Sequence, residues 1–335
     1  MHVTVLMGGD SPEREVSLRS GGAVADGLER AGWTVDRRDI PDVGAALGMD
    51  FSGTDLVFPA LHGGHGEDGH LQAVLDVKGV PYALSGHRAS AVAMDKSATK
   101  QVMKGAGIAT PDWLLITWDA ALEAPVAVQT PEPGGAVRGD LALDHVRDRA
   151  LAELGFPLVV KLNGAGSSVG VEIVETPDGF ADAFARVAAA ALGGRAEILL
   201  ERFVPGRELT AAIFLGRRLP LLEIRPRDGF YDYQNKYTSG ASEYLCPAPV
   251  DSPFYENMCA DALRLFDLLG CRGVARVDFR FDGARHWCLE INTIPGMTTL
   301  SLVPMAAAAV GIGFDAMVDD LCRDALLRRG LPADR

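Results

Sequence analysis

The sequence predicts a mixed α/β protein of several domains, with a parallel-sheet domain first and units of helix and antiparallel strand after it. Three observations carry this expectation. At 335 residues the chain is too long for one ordinary compact unit. Up to about residue 92, apolar runs alternate with helical patterns, as in a parallel sheet flanked by helices. Farther on, paired strand patterns replace this rhythm, most clearly Gly273–Phe281 and Trp287–Asn292 around an Asp282-Gly283 turn.

Taken in order, the chain opens on a strand, Val3 to Met7, a Gly8-Gly9 turn and a helix expected from Ser11-Pro12, where Ser suits the N-cap and Pro the first helical position. A strand over Thr54–Phe58 runs into the glycine-rich loop Leu61–His70. Residues 95–107 read as a helix and Trp113–Thr117 as a strand. Between Ala120 and Arg149, Ala, Pro, Gly and Val dominate, which suggests an irregular surface excursion before a short helix. Strands over Leu158–Leu162 and Val169–Val174 flank a Gly/Ser loop, and an alanine-rich helix follows to about Leu192. Several strands and a helix over Phe314–Arg328 complete the chain. Three domains are expected: 1–93, 94–195 and 196–335.

Hydrophobic residues make up 48% and charged residues 23%, so neither disorder nor a membrane protein is expected. No apolar window approaches a membrane span, and the first residues lack the basic region of an export signal, so a cytoplasmic protein is expected. Cys246, Cys259, Cys271, Cys288 and Cys322 form no CxxC pair and read as reduced core thiols. A net charge of -13 argues against a nucleic-acid partner, while a small anion could still bind in a local basic pocket. Only six lysines occur among 32 basic residues, and three of them, Lys96, Lys161 and Lys236, fall inside the motifs described next. A compact ammonium kept in an arginine-preferring chain hints at a chemical need.

The paired strands carry the most chemistry. Alternation sets Val277, Phe279 and Phe281 against Arg276, Asp278 and Arg280, and in the return strand Trp287, Leu289 and Ile291 against Cys288, Glu290 and Asn292. If the apolar faces share a core, Asp278, Glu290 and Asn292 group as oxygen ligands that suit magnesium; an ordinary hairpin with a polar outer face fits the same pattern. The loop between Lys161 and Gly170 is neither a P-loop nor a dinucleotide fingerprint. It reads either as a glycine-rich turn that folds over a triphosphate, with Lys161 supplying charge, or as a flexible turn. Glu201-Arg202-Phe203-Val204-Pro205-Gly206 breaks a strand and exposes main-chain groups to which an adenine edge could pair, with Glu208 for ribose; a solvated turn is the alternative. Tyr231–Tyr237 has the aromatic and charged character of a lid loop.

Seven strings in register resemble the D-alanine:D-alanine ligase family of the ATP-grasp superfamily, through nearly the whole chain. They are Gly8–Ser17, Leu61–Gly69, Met94-Asp95-Lys96, Gly166–Gly170, Tyr231–Tyr237, Glu290–Met297 and Ser301–Pro304. The resemblance implies an ATP-grasp fold, in which two domains clamp ATP between their sheets behind an N-terminal substrate domain. It implies ATP and two magnesium ions, for which manganese can substitute, D-alanine as substrate, and a homodimer.

The same resemblance implies roles for residues. Lys96, Lys161 and Ser168 would hold phosphates, with Lys236 beside the nucleotide and the second D-alanine. Glu201, the backbone of Arg202 and Val204, and Glu208 would hold adenine and ribose. Asp278, Glu290 and Asn292 would bind the two metal ions. Glu13 and His62 would meet the first D-alanine, Ser301 and Leu302 the second, and Arg276 with the Gly296 N–H would stabilise the oxyanion. Tyr237 would close the lid on Glu13 and Ser167. The reaction implied is attack of one D-alanine carboxylate on the γ-phosphate, then of a second D-alanine amine on the acylphosphate. Read without the resemblance, Glu13 could complement a helix N-terminus, His62 could be a packed loop histidine, and Tyr237 a buried aromatic.

Three features depart from the family pattern: Leu162 follows Lys161 where proline is usual, Asn163-Gly164-Ala165 replaces a more polar loop, and the excursion around residues 120–145 has no counterpart. Ligases that use D-lactate or D-serine are the nearest rivals, and Tyr237 argues against them. A non-catalytic nucleotide-binding module would be expected to lose Arg276 or the metal ligands, and a nicotinamide-dependent dehydrogenase accounts for nothing downstream of Gly8-Gly9.

Overall fold

A computed structural model describes residues 1–132, 135–139, 141–166, 170–191, 194–226 and 242–331. At the N-terminus, β1 (His2–Gly8), α1 (Arg14–Arg30), β2 (Thr34–Ile40), α2 (Ala45–Gly48) and β3 (Leu56–Pro59) build a parallel sheet of order β2-β1-β3. The central strand β1 is buried at every residue from Val3 to Gly8, Thr4 included, because both its faces are covered. Helix α1 starts later than Ser11-Pro12 suggests. The Ser11 hydroxyl donates to the His62 carbonyl and accepts the Glu13 N–H, so it ties two loops together instead of capping the helix. Helices α3 (His70–Val77), α4 (His87–Met94) and α5 (Lys96–Gly105) follow.

The second sheet has the order β6-β5-β4-β9-β7-β8 and is antiparallel throughout. Its strands are β4 (Trp113–Asp119), β5 (Ala124–Gln129), β6 (Val137–Arg138), β7 (Leu158–Leu162), β8 (Val171–Val174) and β9 (Arg195–Arg202). Part of the stretch read as an irregular excursion is therefore sheet: β5 and β6 extend the edge beyond β4, and backbone pairing holds them despite the Pro-rich composition between them. The boundary expected at 195 falls at the start of β9, which pairs with both β4 and β7. Helices α6 (Leu143–Glu153) and α7 (Phe180–Ala189) cover one face over a core that includes Ile116, Val160, Phe184 and Leu200.

The third sheet has the order β13-β12-β10-β14-β15, with β11 added to β10. Its strands are β10 (Arg207–Phe214), β11 (Arg217–Arg218), β12 (Leu222–Pro226), β13 (Ser242–Leu245), β14 (Val274–Phe281) and β15 (His286–Asn292). Helix α8 (Ser252–Leu269) has proline in its first turn, ends on left-handed Gly270 and packs on the inner face. Strand β14 alternates as its sequence predicts, with Val277, Phe279 and Phe281 buried; each such side chain contributes about 1.5–3 kcal/mol.

Strand β15 departs from its expected alternation. Asp278 lies opposite Glu290 but Phe279 lies opposite Cys288, so a bulge takes up Leu289. In consequence Cys288 is fully buried, and Trp287 faces outward beneath Arg285. Four of the five cysteines are buried, as expected of core thiols, and all five are unbridged; burial pushes Cys259 up to about 11 and Cys271 to about 12, which keeps them protonated and inert.

After β15 come α9 (Leu302–Ala308) and α10 (Phe314–Arg328). Helix α10 returns to the first sheet: a Cβ on Gly27 would lie 3.1 Å from both Phe314 and Val318, so glycine permits the close approach of α1 and α10. Arg30 pairs with Asp315, and the Trp33 indole donates to Asp319 across the same seam. Among the described residues no helix is long and apolar enough to cross a membrane.

Candidate active site

Sheet register assembles the centre of the site. Arg276 lies opposite Asn292 and Asp278 opposite Glu290, while on the other flank Thr210 lies opposite Asp278 and Glu208 opposite Arg280. All these side chains stand on the face of β14 that points away from its buried phenylalanines. The Arg276 guanidinium grips Asp278 with two prongs, Nε to Oδ1 at 2.9 Å and Nη2 to Oδ2 at 2.8 Å. Thr210 Oγ1 donates to Asp278 Oδ1 at 2.6 Å. Asn292 Oδ1 accepts the Ile294 N–H, which fixes its amide, and Glu290 lies 3.5 Å from the Lys96 ammonium.

Two carboxylates and an amide oxygen on one partly buried face fit magnesium, which takes hard oxygen donors and leaves room for water and phosphate. Arg276 pairs with Asp278, and the Lys96 ammonium lies near Glu290.

A cluster of lysines borders this face. Helix α5 begins at Lys96, and Asp95 caps it by accepting the Ala98 N–H. The buried Asn163 side chain binds this turn to the end of β7. Its Oδ1 accepts the Ser97 N–H at 2.8 Å, and its Nδ2 donates to Asp95 and to Glu197, each at 2.9 Å. Deeper in, the two oxygens of buried Glu201 meet different ammonium groups, Lys161 at 2.8 Å and Lys100 at 2.6 Å. Burial pushes the Glu201 carboxyl up, but the two lysines outweigh it and leave it below the ordinary glutamate value. Burial lowers Lys100, against the pull of Glu201.

The first domain supplies the opposite wall. Glu13 is buried, and its Oε2 lies 2.6 Å from where a Cβ on Gly63 would stand and 2.8 Å from one on Gly166. Glycine at both positions lets the backbone at Gly63 and at Gly166 approach this carboxylate closely. His62 is 4% exposed; its Nδ1 lies 3.1 Å from Glu67, and its Nε2 has no hydrogen-bond partner. Glu13 and His62 thus belong to one wall, and Gly166 joins it to the strand that carries Lys161.

The remaining candidates lie around this centre. Arg202 donates its N–H to the Asp112 carbonyl, and Val204 accepts at its carbonyl from Arg280 Nε, which also reaches toward Glu208 through Nη1. Ser301 precedes α9 and folds over Gly296, where a Cβ would sit 3.0 Å from the serine Oγ; the hydroxyl also accepts the Thr298 N–H. Leu302 packs beside Leu222 and Ile224. Ser167, Ser168, Lys236 and Tyr237 lie outside the described residues, together with the rest of the expected lid.

Sequence reasoning passed over Lys100, Asn163, Thr210 and Glu67. Lys100 had a signal: it is one of only six lysines and falls one helical turn after Lys96. Thr210 had none short of the β10–β14 register, because its neighbours are apolar.

Two antiparallel sheets presenting lysines and carboxylates to a common site, behind a parallel-sheet domain, define the ATP-grasp class of ATP-dependent carboxylate–amine ligases. A family model described as D-ala D-ala ligase C-terminus matches residues 137–323. The chain belongs to the D-alanine–D-alanine ligase family. The D-alanine–D-alanine ligase of Desulforudis audaxviator is 45% identical over 325 residues, covering 96% of this chain and 97% of that one. That of Syntrophotalea carbinolica is 40% identical over 333 residues, covering 98% and 97%. The crystal structure of D-alanine–D-alanine ligase from Bacillus anthracis matches with a TM-score of 0.80 at 31% identity, covering 98% of this chain and 99% of that one. A structure of the same enzyme complexed with ATP gives 0.79 at 31% identity, covering 98% of each.

Proposed function

We propose that this enzyme joins two D-alanine molecules into D-alanyl-D-alanine at the expense of ATP, for cell-wall peptidoglycan synthesis. The observation that carries the reading is the cross-strand block of Arg276, Asp278, Glu290 and Asn292, with Lys96 at its edge. A carboxylate is a poor electrophile, so it must be activated before an amine can displace anything from it. ATP lies between the second and third sheets in this reading, with its phosphates toward Lys96, Lys161 and Ser168. Its adenine and ribose lie toward Glu201, Arg202, Val204 and Glu208.

Asp278, Glu290 and Asn292 would hold two magnesium ions, or manganese, and bound metal would supply positive charge that neutralises the triphosphate. Glu13 receives the ammonium of the first D-alanine, with His62 beside it. The carboxylate oxygen of this D-alanine bonds to the γ-phosphorus as the bond to the ADP oxygen breaks, leaving D-alanyl phosphate. The second D-alanine, held by Ser301, Leu302 and Lys236, gives an ammonium proton to water and attacks the acyl carbon through nitrogen. Arg276 and the Gly296 N–H receive the negative charge on the tetrahedral oxygen, a contribution of about 3–4 kcal/mol per donor. Collapse expels inorganic phosphate and leaves the peptide bond. Tyr237 and Ser167 close the site so that water does not consume the acylphosphate.

The N-terminal domain, 1–93, serves substrate, and the two following domains, divided after β9 and not at 195, form the nucleotide clamp, in a cytoplasmic homodimer. Phosphate release from ATP tests the function, with D-alanine, L-alanine, D-lactate and D-serine supplied singly and in pairs. Release should require D-alanine and be greatest with D-alanine alone at high concentration. Release indifferent to D-alanine rejects the substrate, and a preference for the D-alanine and D-lactate pair assigns a depsipeptide ligase instead.

A further inference from the structure

Lys100 is fully buried; its ammonium donates to Thr110 Oγ1 at 2.7 Å and to the Pro111 carbonyl at 2.9 Å, and forms an ion pair with Glu201 Oε2 at 2.6 Å. Enclosed among these groups with no exposed surface, the ammonium is out of reach of a ligand. The Trp113 ring lies beneath it, 5.1 Å away. Lys161 differs. Its side chain is 9% exposed, and its ammonium bonds to the other oxygen of the same carboxylate at 2.8 Å and, among the described residues, keeps two further donors for an anion.

We propose that Lys100 is a positioning residue whose charge satisfies Glu201 and thereby leaves the charge of Lys161 available to the phosphates of a nucleotide. This rests on the reading that Lys161 meets those phosphates. The charge count carries the argument. Two ammonium groups on one carboxylate leave a net charge of one positive unit, and because Lys100 is fully buried that unit is available only at Lys161. Without Lys100, Glu201 and Lys161 form a neutral pair in a place where burial makes each charge strongly felt. Lys100 also fastens helix α5 to the Thr110-Pro111 segment that leads into β4, so the counter-charge is held rigidly in place.

The test compares dissociation constants for adenosine and ADP in the full-length enzyme, since their ratio isolates the phosphate contribution from that of the base. In Lys161→Met the ratio of the adenosine to the ADP constant should fall by about tenfold to a hundredfold. Lys100→Met should lower it comparably, although Lys100 touches no part of the nucleotide. Lys100→Met combined with Glu201→Gln restores one positive unit at Lys161, and the ratio should return to within about threefold of the parent.

A purely structural Lys100 predicts the reverse: adenosine and ADP weaken together, the ratio stays fixed, and the double variant is worse than either single one. That result overturns the proposal. If Lys161→Met itself leaves the ratio unchanged, the phosphate role of Lys161 fails and the proposal fails with it. If Lys161→Met lowers the ratio and Lys100→Met does not, only the role of Lys100 is rejected. Should Lys100→Met not unfold cooperatively, the double variant decides alone, and a ratio as low as that of Lys161→Met refutes the counter-charge.

Discussion

Asn163 links the loop after β7 to the start of helix α5, and its removal should be felt both in stability and in nucleotide affinity. Asn163→Ala deletes three hydrogen bonds at a position only 2% exposed: one from the Ser97 N–H and one each to Asp95 and Glu197. A neutral bond contributes about 0.5–1.5 kcal/mol and one to a carboxylate about 1.5–3 kcal/mol. Two features lower the sum. Asp95 keeps its cap to the Ala98 N–H, and Glu197 is exposed enough to regain water. The expected loss is therefore about 2–4 kcal/mol in urea unfolding without nucleotide. Lys96 approaches the Asn163 carbonyl through both its N–H and its ammonium, so the KM for ATP should rise as well. Asn163→Asp sharpens the test. It sets a carboxylate against Asp95 and Glu197, so it should be worse than alanine at neutral pH and recover relative to alanine as acid protonates it. A change below about 0.5 kcal/mol with an unaltered KM refutes the reasoning, since that is the range of substitutions that touch nothing.

Three other outcomes follow from the same geometry. Arg276→Met should lower kcat by about 100- to 1000-fold, measured by phosphate release at saturating ATP. Gly166→Ala would bring a methyl group to 2.8 Å from the Glu13 carboxylate, so steady-state kinetics should show the KM for D-alanine rising more than that for ATP. Glu223 is buried between Arg207 and Arg225; burial pushes its carboxyl up, but the guanidinium groups outweigh it and hold it below the ordinary value of 4.5. Its stabilising contribution is complete above 4.5 and is lost as pH falls through the lower folded-state value. Thermal unfolding of parent and Glu223→Gln should therefore differ at pH 6 and converge toward pH 3.

The polar block on β14 was legible because a strand repeats every second residue, and its apolar partners, Val277, Phe279 and Phe281, are unambiguous. Its companion strand was read half correctly. Glu290 and Asn292 stand where alternation puts them, yet the bulge at Leu289 reverses the order toward the N-terminal end, and no residue type there announces it. Strands β5 and β6 were hidden by the proline and glycine around them, since their stability comes from pairing with β4 and with each other more than from their own composition. Ser11-Pro12 carried a strong helix-start signal, but the hydroxyl is used by a loop fifty residues away, a contact that local sequence does not encode. Lys100 is the same kind of case: helix spacing put it one turn from Lys96, and only the fold brings Glu201, Thr110 and Pro111 to it.

The central claim is that Asp278, Glu290 and Asn292 converge on divalent cations beside ATP. Anomalous diffraction from crystals grown with manganese and a non-hydrolysable ATP analogue measures this directly. Peaks should appear about 2.0–2.3 Å from the side-chain oxygens of these three residues, bridging them to phosphate. Ordered nucleotide with no anomalous peak near any of the three would contradict the account.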